Sequence, residues 1–82
     1  YYMPYVAETL NNIANLQREK NNFYHAEQGY LQAIEIYTQL TDLKSDIYLP
    51  YLGITAMNLS ILYFESTKEI NKSLAYAKKA IM

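Results

Sequence analysis

From Val6 onward, apolar and small side chains return at Leu10, Ile13, Ala14 and Leu16, the i, i+3, i+4, i+7 recurrence of one helical face. Pro4 fits the first turn of such a helix, where a missing N–H has no partner to lose. The recurrence fades at Lys20-Asn21-Asn22. After glycine, Asn best tolerates left-handed backbone, so the sequence predicts a first helix over about residues 4–20. A second stripe of Phe23, Ala26, Tyr30, Ala33, Ile34, Tyr37 and Leu40 predicts a helix to about residue 42, with Gly29 inside it costing about 1 kcal/mol relative to Ala. The segment Asp42-Leu43-Lys44-Ser45-Asp46 reads as a turn, and Pro50 as the opening of a third helix that buries Leu52, Ala56, Leu59, Ser60, Leu62 and Tyr63. A break near Ser66-Thr67-Lys68 is expected to lead into a fourth helix through Ile70, Ser73, Leu74, Ala77, Ala80 and Ile81. No stretch alternates with period two, so no strand is expected.

The same pattern is written twice. At an offset of 46 residues, Tyr2/Tyr48, Pro4/Pro50, Tyr5/Tyr51, Thr9/Thr55, Asn12/Asn58, Leu16/Leu62 and Glu19/Glu65 are identical. Ala26, Tyr30, Ala33 and Ile34 match Ser73, Ala77, Ala80 and Ile81 one residue further on. A period of this size points to an array in which each unit buries its apolar face by stacking on a neighbour. Such an architecture favours a surface for partners over a cleft for chemistry.

Composition narrows the classes. The chain has 82 residues, enough for one domain with a thin core. Hydrophobic residues form 51% and charged residues 18%, a globular balance. A net charge of −1 gives no electrostatic footprint for nucleic acid or anionic lipid. The absence of cysteine excludes disulfides and thiolate metal sites, and fits a reducing, cytoplasmic setting. No apolar run is read as approaching the roughly 18 residues of a membrane span, and no signal peptide is evident. The chain begins without Met and is expected to be part of a longer array, unit one covering about 4–43 and unit two about 48–82.

The run Thr9 to Gln17 followed by Asn22 to Ile36 resembles a tetratricopeptide repeat. Ala14 takes the small position of the first helix, Ala26, Tyr30 and Ala33 the small, large and small positions of the second, and Phe23 the aromatic that opens it. Leu10-Asn11-Asn12-Ile13-Ala14 is similar to the long-repeat variety found in kinesin light chains and many bacterial repeat proteins. The second unit departs from the pattern, with Ser60, Ser73 and Ala77 standing for Ala, Ala and an aromatic. The resemblance implies an all-α superhelix, a TPR-like solenoid of two helix-turn-helix units and four antiparallel helices. A four-helix bundle that duplicated a hairpin is the alternative.

Enzymatic chemistry finds no foothold. His25 is the only histidine and cannot complete a metal site alone, so no cofactor or metal is expected. The glutamates are spread over several helical faces, and no Gly-rich loop, nucleophile elbow or metal helix occurs. Among ten tyrosines, Tyr30, Tyr37 and Tyr63 are expected in the core, and Tyr1, Tyr2, Tyr5, Tyr48 and Tyr51 at the junction between units.

In a tetratricopeptide array the first helix of each pair lines the concave groove. Carried over by position, the resemblance implies a peptide site of Asn11, Asn15 and Arg18 in unit one, with Glu8 or Glu19 at the edges, and of Met57, Ile61, Phe64 and Glu65 in unit two. Asn amides can pair with the main chain of an extended peptide, and the apolar trio would hold a side chain. Asn15→Ala is accordingly expected to spare folding. The expected function is a scaffold that binds a protein or peptide partner, without nucleic acid or membrane. A sensor or regulatory region of a larger protein, and a module that self-associates through uncapped helix ends, are the competing classes. Met57 and Ile61 are equally readable as surface that a neighbouring repeat covers.

Overall fold

The computed structural model describes residues 3–81 and the side chains of residues 3–68. They form three helices, α1 (Met3–Glu19), α2 (Phe23–Leu43) and α3 (Ser45–Ile81), with no strand among the described residues. The chain is all-α. The helices run antiparallel in sequence order, and α2 lies in the middle, packed on α1 along one side and on α3 along the other, while α1 and α3 meet only sparsely.

The turn after α1 is set by its asparagines. Asn21 has φ 61°, and the Asn22 and Asn21 N–H groups reach back to the carbonyls of Gln17 at 2.9 Å and Arg18 at 3.0 Å. This is the Schellman pattern, in which a left-handed residue lets two orphan carbonyls find donors. The Asn22 amide also donates to Gln17 Oε1 at 2.8 Å. The joint between α2 and α3 is shorter still. Lys44, at φ −145° and ψ 80°, donates to Leu40 at 2.9 Å and accepts from Ile47 and Tyr48 at 3.2 and 3.1 Å, so one extended residue ends one helix and starts the next.

Where α1 crosses α2, the backbones come close. A Cβ on Gly29 would stand 3.0 Å from Ala14 Cβ and 3.3 Å from the Leu10 carbonyl. Gly29, read from sequence only as a cost to helix propensity, is therefore what allows the approach. The core divides along α2. Near its start Ala26 and Tyr30 pack with Ala14 and Leu62, and near its end Ala33 and Tyr37 pack with Ala7, Leu10, Tyr48 and Leu52.

Four expectations are corrected. First, the described residues form three helices and not four, because α3 continues through Ser66-Thr67-Lys68. At the 46-residue offset Thr67 stands where Asn21 turns α1, and a β-branched residue resists the positive φ that such a helix end needs. Second, α3 starts at Ser45, which leaves Pro50 inside the helix. Third, the buried stripe of α3 is rotated from the expected one: Thr55 and Leu62 are buried and Leu52 and Leu59 half-buried, whereas Ala56, Ser60 and Tyr63 are exposed. Fourth, Ile47 to Phe64 carries no charged side chain, and Ser45–Lys68 is long and apolar enough, by length and composition only, to cross a membrane. The expected fourth helix and Tyr1 and Tyr2 fall outside the described side chains.

Candidate binding groove

Because α1 and α3 both lean on α2 without closing on each other, a groove runs between them, with α2 as its floor. At one end it holds a hollow of about 360 Å³. Pro4, Tyr5, Glu8 and Asn11 line it from α1, Tyr37 from α2, and Ile47, Tyr48, Tyr51, Ile54 and Thr55 from α3. Tyr37 and Tyr51 stack with centroids 5.9 Å apart and planes at 16°. Burial raises the pKa of Tyr37, and the nearby Glu8 charge and Tyr51 hydroxyl push it the same way.

The other end is polar. Asn58 donates its amide to Asn11 Oδ1 at 3.3 Å, a bridge from α3 to α1. One turn further along α1, Asn15 Oδ1 accepts the hydroxyl of the buried Tyr30. Burial raises the pKa of Tyr30, with Arg18 opposing and Glu65 and Glu19 reinforcing the shift. Arg18 is half-buried, and its Nη1 is buried without a hydrogen-bond partner among the described residues.

The expected site residues thus fall into two groups. Asn11, Asn15, Arg18 and Glu65 are half-buried and converge on the polar end, where both asparagine oxygens already accept internal bonds. Met57 and Phe64 are 57% and 71% exposed. Each lies two residues, about 200° round the helix, from the buried Thr55 and Leu62, which turns it away from α2 and out of the groove. Ile61 is 40% exposed and continues the row of Ile54 one heptad on, at the outer edge of the α3 wall. Among the described residues no group of three His, Cys, Asp or Glu could hold a metal ion. His25 is exposed and stands edge-on to Tyr24 at 5.6 Å.

Of the tyrosines expected at a junction, Tyr5, Tyr48 and Tyr51 line the hollow, an outcome the repeat pattern did not announce. The nearest signal was the repeated Tyr-x-Pro-Tyr itself, of which Pro4 and Tyr5 lie in the first turn of α1 and Tyr48 to Tyr51 in the early part of α3. The bridge that Asn58 makes to Asn11 has no counterpart in the repeat pattern, where Asn58 pairs with Asn12. Comparison of the chain with protein-family models, with curated proteins and with solved structures finds no significant match.

Proposed function

We propose that the chain is a protein-interaction scaffold of tetratricopeptide-like design that binds a peptide segment of a partner in the groove between α1 and α3. The observation that carries this reading is the hollow of about 360 Å³, walled by two helices that a third holds apart. Its tyrosine rings and the single Asn11 amide suit a peptide, since rings supply contact area and the amide N–H groups can pair with main chain. The internal repeat and the small residues at the α1–α2 crossing support the design, and no catalytic role belongs to it.

The test is selection of binders from a random peptide library followed by NMR mapping on the labelled chain. Shifts centred on Glu8, Asn11, Tyr48 and Tyr51 are expected. Shifts confined to the outer face of α3 would refute the groove as the site.

A second reading rests on its own observation. Met57, Ile61 and Phe64 are between 40% and 71% exposed on a helix uncharged from Ile47 to Phe64, an apolar surface suited to contact with another copy. Sedimentation at increasing concentration separates the two readings, a monomer at all concentrations removing self-association.

A further inference from the structure

The hollow at the Tyr5 end of the groove has a chemistry that a general peptide-binding role leaves open. Tyr5, Tyr37, Tyr48 and Tyr51 all border it, and Glu8 is the charged side chain in its lining. Tyr5 and Glu8 are three residues apart on α1, and Tyr48 and Tyr51 three apart on α3, so each wall presents its pair on one face. Tyr37 covers one face of Tyr51, but Tyr51 remains 51% exposed and Tyr5 70% exposed. Aromatic faces are the negative pole of the ring quadrupole, and a cation within about 6 Å of a ring centre is drawn to it. A carboxylate beside those rings adds a full charge of the same sign. Lys44 lines the adjoining hollow, together with Pro4, Ile47 and Tyr48, and does not line this one.

We infer that this pocket receives an arginine side chain of the bound segment, its guanidinium stacked on tyrosine and bonded to Glu8. The inference rests on the groove being the peptide-binding face. Arginine fits better than lysine because its planar guanidinium can lie flat on a ring while its edge offers paired N–H donors to a carboxylate. The chain's net charge of −1 does not oppose a basic segment.

The experiment titrates the 82-residue chain with acetyl-Ala-Arg-Ala-amide and with the same peptide carrying citrulline, which keeps the shape and loses the charge. NMR follows the tyrosine ring signals. The arginine peptide is expected to shift Tyr5 and Tyr51 and to bind roughly tenfold more tightly than its citrulline counterpart. Glu8→Gln, at an exposed position where folding is readily confirmed by circular dichroism, is expected to remove most of that difference. Equal affinity of the two peptides at these rings overturns the cation assignment and leaves the groove reading intact. Arginine-dependent shifts centred on Glu27 or Glu65, or no shift with the arginine peptide, also overturn it.

Discussion

The two glycines mark two regions built on one pattern with opposite fates. Around Gly29, a Cβ would crowd Ala14 at 3.0 Å and the Leu10 carbonyl at 3.3 Å, whereas around Gly53 nothing lies within 4 Å. At the repeat offset Ala7, Leu10 and Ala14 of α1 correspond to Gly53, Ala56 and Ser60 of α3, yet the first three are buried or half-buried and the last three exposed. Small residues at helical spacing permit close approach but do not cause it. In α1 the approach is made because α2 turns back across it at Asn21, while α3 runs on past Thr67 and packs on α2 with another face.

The largest effect should separate the core from the outer face of α3. Tyr30→Ala is expected to cost about 3 to 5 kcal/mol, as for other buried aromatics, whereas Phe64→Ala should stay within about 0.5 kcal/mol. Urea denaturation of both variants checks this, and equal losses would dissolve the contrast. Next comes overpacking: Ala14→Leu should cost roughly 1 to 3 kcal/mol, while Ser60→Leu at the equivalent exposed position should be near neutral. Asn15→Ala, which sequence alone marked as harmless to folding, should also destabilise by about 1 to 3 kcal/mol because it leaves the buried Tyr30 hydroxyl unpaired. Tyr30→Phe in the same background should recover part of that loss.

The glycines themselves give a smaller and sharper test. Gly53→Ala should stabilise α3 by about 0.5 to 1 kcal/mol, since a helical Ala gains propensity and meets open space. Gly29→Ala should lower the melting temperature, because Ala14 Cβ cannot retreat without moving α1. The last prediction concerns pH. Tyr30 and Tyr37 both hold their protons above the ordinary 10.0, chiefly because they are buried. Rising pH therefore deprotonates the unfolded chain first, so their contribution is full below pH 10 and is lost as pH climbs through the raised values. Alkaline melts should show that decline for the native chain and a flatter one for Tyr30→Phe with Tyr37→Phe.

Much of the first two helices was legible. Their apolar recurrence, the asparagine turn and the buried Ala26, Tyr30, Ala33 and Tyr37 follow from local rules, because period and turn chemistry act over a few residues. The groove was half legible. Asn11, Asn15, Arg18 and Glu65 do converge, but which partners they meet depends on α3, and its rotation moved Met57 and Phe64 outward. That rotation is hard to read because α3 is apolar nearly all round from Ile47 to Phe64, so no single stripe announces the buried face.

By itself the amino-acid sequence determined the all-α class and the turn at Asn21, because each depends on the conformational preferences of a few neighbouring residues. Only the tertiary structure decided that α3 is one helix, that Thr55 and Leu62 face inward, and that four tyrosines meet beside Glu8. Those outcomes turn on which surfaces compete for α2, a comparison between distant segments that local pattern does not contain.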